Sequence, residues 1–327
     1  VLTPVRRLLS GILVLVIAAA GVVAWGYYEF RRPGPLDDTT IVYIPKGTGL
    51  KGIAEILRAE GVVTYPWLFV AGVRAAKAGR SLRAGEYEFP AHVSARGVMD
   101  LMVAGKTIQH RITIVEGITL SDALAEIAAA TALEGKVTDP PEEGWMLPET
   151  YYYERGDDRQ ALVDRSVAAM NATLDRLWPN RNPSIAIANR KQAVILASIV
   201  EKETAVPEER ARIAAVFNNR LKLGMPLQAD PTVVYGLSNG SGELDRPLTH
   251  HDLEAPSPYN TYLNNGLPPG AIALPSRASL EAVLNPDDTK EIYFVADGTG
   301  GHVFAKTLAE HNRNVAKWRR VQKQQTQ

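Results

Sequence analysis

The first thirty residues carry one unbroken apolar run. No charged residue stands between Arg7 and Glu29, and Leu8 to Tyr28 (LLSGILVLVIAAAGVVAWGYY) would form a helix about 30 Å long, the thickness of a bilayer core. Trp25, Tyr27 and Tyr28 at its far end have the character of an interfacial aromatic belt, so residues 8–28 read as an uncleaved transmembrane helix. Ala18 to Ala20, behind a shorter apolar stretch, leave a cleaved secretory signal as the alternative. Arg6 and Arg7 favour a cytoplasmic N-terminus (residues 1–7), with Arg31 and Arg32 on the other flank weakening that signal. Residues 29–40 (EFRRPGPLDDTT) are polar, proline-containing and without periodicity, which predicts a linker.

Beyond the linker the pattern alternates between short strands and helical stripes. Ile41 to Ile44 is strand-like, Pro45 to Gly49 a turn, and Leu50, Ile53, Ala54 and Leu57 recur at helical spacing. The same order returns at Ile112 to Val115, Glu116-Gly117 and the stripe Leu120, Leu124, Ile127, a weak two-copy repeat. Between the copies lie a helix over 67–76, a strand over 85–89 and a helix over 98–103, which makes residues 41–135 a small α+β domain. The Pro-rich, charged segment Lys136 to Glu143 marks a junction to a second, mainly helical domain over 136–327. Its predicted helices span 161–178, 185–203 and 208–223. Residues 224–276, rich in Gly, Pro and Asn, read as long loops shaping a cleft, and a strand pair near 291–305 precedes a closing helix over 307–322. The fold class is therefore α+β with a small β element in the helical domain.

Composition narrows the chemistry. Thirty-six basic and 36 acidic residues give zero net charge at pH 7, so the basic field that nucleic-acid binding needs is missing. Cysteine is absent, which excludes disulfides, thiolate metal sites and cysteine nucleophiles. Adjacent His250-His251-Asp252 lacks the i, i+4 spacing that converges two imidazoles on a metal, Asp297 to Gly301 lacks the Lys-Ser/Thr of a phosphate loop, and no nucleophile elbow is present. No metal or other cofactor is expected.

The most informative helix runs from Lys191 to Thr204. Its apolar positions Ile195, Leu196, Ile199 and Val200 place Glu203 next on the same face, whereas Glu201 projects nearer Ala197 and Ser198. A carboxyl continuing an apolar stripe at a helix C-terminus is desolvated and opposed by the helix dipole. Both effects favour its protonated form, as a general acid at neutral pH requires. A solvated helix end, or an ion pair with Lys202 or Arg210, is the plainer alternative. Gln228, Asp230, Tyr259, Asn260 and Tyr262 follow in the loop region, a set of amide, carboxyl and aromatic groups suited to a sugar's hydroxyls and ring faces. Asp230, in its Asp-Pro setting, reads as a turn or helix cap with a binding or supporting role.

Several stretches in order, Ala197-Ser-Ile-Val-Glu-Lys-Glu-Thr204, Val216 to Leu221, Leu227 to Gly236, Ser257 to Tyr262, Gly266 to Ile272 and Tyr293 to Gly298, resemble the YceG-like endolytic murein transglycosylases over nearly the whole chain. Glu149 stands where that family often has Asp. The Pro45 to Leu57 segment resembles a LysM-like peptidoglycan-binding module. The resemblance implies a single-pass protein of the cell inner membrane with an extracytoplasmic catalytic domain, Glu203 as catalytic acid, and peptidoglycan glycan strands as substrate. It implies glycan polymerases and divisome or elongation proteins as partners. The reaction implied is cleavage of the MurNAc-GlcNAc bond to a 1,6-anhydro end, terminating glycan elongation. A non-catalytic peptidoglycan-binding scaffold and a lysozyme-like muramidase using Asp230 are the competing readings.

Overall fold

The computed structural model describes residues 2–325, with side chains described from Arg6 to Gln322. The chain forms two compact units. The first holds residues up to His110 together with 132–134 and 152–157, and the second holds 111–131, 135–151 and 158 onward. The division thus falls at Arg111, not near residue 136. The stretch expected to close the N-terminal domain, with the second strand-turn-helix copy, belongs to the C-terminal unit, because its helix start and turn are bonded there: Gly117 N donates to Leu274 O and Leu274 N to Ile118 O.

In the first unit, α1 (Leu2–Arg31) contains a segment, Arg6–Arg31, long and apolar enough to cross a membrane, with its apolar side chains exposed over most of its length. The helix runs through Glu29 to Arg31, so the expected linker starts later than its composition suggests. Strand β1 (Thr40–Ile44), helices α2 (Leu50–Ala59) and α3 (Pro66–Ala75), strand β2 (Gly85–Phe89) and helix α4 (Ala95–Ala104) follow. Pro66 opens α3 at a first-turn position, where a missing N–H costs nothing, and Ser94 caps α4 by accepting from Gly97 N. β1 and β2 pair antiparallel with Val42 opposite Tyr87. Their inner faces close with Leu57, Phe69, Val73 and Met102 over a core that also takes in Phe30 from the end of α1.

The second unit begins in β3 (His110–Thr113) and α5 (Leu120–Ala129), the latter started by a reciprocal capping box between Thr119 and Asp122. Short strands β4 (Leu133–Glu134), β5 (Thr150–Tyr153) and β6 (Asp157–Asp158) mark where the chain passes between units. Glu149 is exposed, and its carbonyl accepts from Ile114 N. Then come α6 (Arg159–Leu177), α7 (Arg190–Glu203), α8 (Arg210–Lys222), α9 (Asp230–Leu237), α10 (Arg277–Leu284), the antiparallel hairpin β7 (Tyr293–Ala296) with β8 (His302–Ala305), and α11 (Leu308–Gln325). The mixed α and β content is as expected.

Helix α7 is the axis of this unit, flanked by α8, α9 and α10. Every residue from Ala193 to Val200 is buried, so the helix has no solvent face through its middle. It starts at Arg190, not Ile185, because Asn189 caps it by accepting from Gln192 N while Asn182 to Ile185 closes a turn. The region read as loops contains α9, whose Asp-Pro start is a good first helical turn that the Gly- and Asn-rich surroundings conceal. Helix α10 likewise falls outside the elements that the sequence pattern predicts. Ser198, fully buried in α7, donates to Ile195 O at 2.7 Å and accepts from Ile272 N at 3.0 Å, which pins the 271–274 segment to the helix. Ser198→Ala should leave the Ile272 N–H unsatisfied and lower unfolding free energy by about 1–3 kcal/mol, measurable by urea denaturation.

Candidate active site

The last turn of α7 carries two glutamates with opposite surroundings. Glu201 is committed to structure. One carboxylate oxygen accepts from Ser276 N at 2.8 Å and from the Ser276 hydroxyl, and the other lies 3.4 Å from Arg210 Nη2. Ser276 is itself the cap of α10, accepting from Ser279 N at 3.1 Å, so Glu201 joins the ends of two helices. Glu203, two residues on, turns away from this knot into a cavity of about 490 Å³. Among the described residues none donates a hydrogen bond to its carboxyl. Burial, then the charge of Asp230, raises its pKa to about 8, while the Arg220 guanidinium acts in the opposite direction. The group is therefore mostly a neutral acid at pH 7.

Arg220 organises the cavity wall. From α8 its Nε donates to Ile292 O at 2.7 Å, and its Nη1 donates to Pro226 O, Leu227 O and Gln228 Oε1 at 3.0–3.1 Å. These bonds hold the 226–228 loop, in which Gln228 adopts a left-handed backbone with φ of 53°, uncommon for a residue with a side chain. The loop delivers Asp230 to the first turn of α9, and Tyr262 Oη donates to Asp230 Oδ1 at 2.5 Å. Tyr262 keeps its proton strongly, first through burial and then through that bond to Asp230. Glu203, Gln228, Asp230 and Tyr262 thus line one cavity.

Two other sequence-selected residues stand elsewhere. Asn260 is fully buried, with its amide donating to Leu253 O and Ala255 O at 2.9 and 2.8 Å and its carbonyl accepting from Tyr262 N at 2.9 Å. It has no surface to offer a ligand, and its work is to hold the loop that presents Tyr262. Tyr259 packs on the Tyr235 ring at 4.9 Å and lines a separate cavity with Glu143, Trp145 and Lys191. There the Glu143 carboxylate accepts from Leu120 N at 2.9 Å and so caps α5. Asp252 binds Arg246 through both oxygens and accepts from Thr249 N, which accounts for the His250-His251-Asp252 stretch as a stapled turn.

The structure adds residues that the sequence left unmarked. Phe294 and His302 from the hairpin, and His311 and Trp318 from α11, complete the wall opposite α9. His302 is tied to Glu209 through Nδ1 at 2.7 Å. His311 stacks on Tyr293 at 5.0 Å, and burial lowers its pKa, so it is neutral with an unpartnered, buried Nδ1. The i, i+7 spacing of His311 and Trp318, two turns of one helix face, was the available signal.

The contrast between the glutamates has a measurable consequence. A neutral carboxyl whose folded pKa is about 8 lies above its unfolded value, so wild-type stability falls as pH rises from about 4.5 toward 8 and levels off beyond it. Glu203→Gln should remove this dependence, so that the variant becomes the more stable chain above pH 8 and the difference closes near pH 4.5. Glu201→Ala should instead destabilise at all neutral pH values, by about 3 kcal/mol, because it strands Arg210 and the Ser276 N–H. Urea unfolding across pH 4.5–9 in detergent checks both.

A profile of the YceG-like family matches residues 42–317. An endolytic murein transglycosylase of Bacillus subtilis (strain 168) is 31% identical over 311 residues, covering 86% of this chain and 85% of that protein. An endolytic murein transglycosylase of Streptococcus pneumoniae (serotype 2, strain D39) is 28% identical over 360 residues; it aligns with 94% of this chain, which spans 64% of that longer relative. A crystal structure of a yceG-like protein from Listeria monocytogenes superposes with a TM-score of 0.53 at 31% identity, covering 85% of this chain and 99% of the other. The cavity at the end of α7 is built almost wholly from residues inside the matched span, and the chain belongs to the YceG-like family.

Proposed function

We propose that the chain is an endolytic murein transglycosylase in which Glu203 is the single acid-base group. The observation that carries this reading is a carboxyl without hydrogen-bond donors, held neutral at pH 7 and open to a cavity large enough for sugar rings. Glu203 gives its proton to the oxygen joining MurNAc C1 to GlcNAc, and the C1–O bond breaks with the electron pair leaving on that oxygen. The resulting carboxylate takes the proton of the MurNAc C6 hydroxyl as that oxygen bonds to C1, which closes the 1,6-anhydro ring and regenerates the acid. No water is consumed. Asp230, occupied by Tyr262, serves as a fixed negative charge that keeps Glu203 protonated and supports the positive charge developing at C1. Gln228 and Tyr262 bind sugar hydroxyls, and Trp318 offers an aromatic face to a sugar ring.

The apolar helix α1 would anchor the enzyme in the cell inner membrane with both folded units outside the cytoplasm, within reach of nascent strands. Cleavage there would end glycan elongation, in company with glycan polymerases and divisome or elongation proteins. The turn after β1 and helix α2, which carry the LysM-like resemblance, would bind glycan; loss of sacculus pelleting in a variant altered there is the test.

Digestion of peptidoglycan followed by mass spectrometry of the ends decides the chemistry. Wild type should leave anhydro-MurNAc ends, and Glu203→Gln should lose 10²-fold or more of the rate. Ordinary reducing ends would establish a lysozyme-like hydrolase instead. The kcat/KM profile should fall above about pH 8 as Glu203 ionises, and Asp230→Asn should move that limb to lower pH by removing the charge that raises the pKa. Trp318→Ala should raise KM about five- to tenfold, the loss of about 1–1.4 kcal/mol of ring contact.

A further inference from the structure

The aromatic end of α1 does not stand alone. Tyr65, just before α3, and Trp67, in its first turn, meet Trp25 of α1 in one cluster: the Trp25 and Trp67 rings stack at 6.1 Å with planes 25° apart, and Tyr65 lies 6.0 Å from Trp25 and 6.4 Å from Trp67. All three remain open, with Trp67 57%, Trp25 43% and Tyr65 39% exposed. Their arrangement is held by close packing of α1 on α3. The Phe30 ring sits where a Cβ on Gly72 would come within 2.4 Å of it, and Leu68 touches the Gly26 position. The polar flank is marked by Arg31, whose guanidinium stands 4.4 Å over the Tyr27 ring, and by Arg32 paired with Glu29 at 2.6 Å.

Depth follows from the helix rise. Trp25 is three residues before Tyr28, the last apolar position, so it lies about 4.5 Å inside the end of the apolar span, the level at which Trp and Tyr partition into the headgroup boundary. A ring stacked on Trp25 shares that level. We propose that Tyr65 and Trp67 form a second membrane contact, a lipid-interface surface contributed by the folded N-terminal unit, so that the start of α3 rests in the headgroup region of the bilayer that α1 crosses. The inference rests on the reading of α1 as a membrane span. The occupant is lipid because Tyr65 and Trp67 touch Trp25 of the apolar segment and the aromatic rings stand beside arginines, the side-chain chemistry of that boundary.

The test uses the full chain reconstituted in phosphatidylcholine vesicles carrying lipids brominated near the headgroup end of the acyl chain. Trp67→Phe and Trp25→Phe are each compared with wild type for the fraction of tryptophan emission that the bromolipid quenches. Equal falls in the two variants are expected. A fall in Trp25→Phe alone would overturn the proposal while leaving the anchor in place, and no fall in either would overturn both. Because the chain has no cysteine, a nitroxide on Thr64→Cys gives a second readout that needs no tryptophan change. Collision with oxygen exceeding collision with a water-soluble nickel chelate supports the contact, and the reverse order rejects it. Shielding from both, dependent on the protein-to-lipid ratio, would assign the patch to another protein copy and reject the lipid.

Discussion

A carboxyl set among apolar groups with no hydrogen-bond donor is favoured in its neutral form, and the end of α7 is arranged around that constraint. Helix α7 is sheathed by its neighbours through its middle, and at its last turn Glu203 faces a cavity while Lys202 reaches solvent. Glu201 takes up the Ser276 N–H and hydroxyl and stands beside Arg210, and these groups do not reach Glu203. Ionising Glu203 would place a second negative charge near Asp230 with only the indirect offset of Arg220, and the proton stays on. A hydrogen-bond donor placed at Glu203 would instead favour its ionised form and lower the pKa.

The direction of Glu203 was legible in the sequence because helical spacing fixes relative direction even when the neighbours are unknown. Glu203 follows Ile199 and Val200 on one face and Glu201 cannot. Spacing gives direction and not setting: from Ala193 to Val200 α7 is buried on every side, Ser198 included, so the apolar stripe is one part of a buried middle. Loop residues were less legible. Tyr259, Asn260 and Tyr262 are close neighbours in sequence, yet one packs on Tyr235, one is consumed by backbone groups and one reaches the cavity. Residue type announces what a side chain can bond, whereas a loop's path decides what is left to bond. His311 and Trp318 went unmarked for the complementary reason: α11 is mostly polar, and the part of it that reaches the cavity is set by its packing on the hairpin just before it.

The unit division had the same cause. A polar, proline-rich stretch at 136–143 looks like a boundary, but boundaries are set by which unit's backbone takes up the hydrogen bonds. Gly117 and Ile118 bond to Leu274, and the Glu143 carboxylate caps α5, so both sides of that stretch belong together. In the first unit, local signals sufficed, because β1, α2, α3 and β2 follow in order and close one core with short connections.

Arg220 gives the cavity a mechanical character. One cation on α8 grips the 226–228 loop on one side and the residue before β7 on the other, so the two walls cannot part without leaving a buried charge unpaired. A single side chain thus fixes the spacing of both walls, and any change at Arg220 would be felt on both at once.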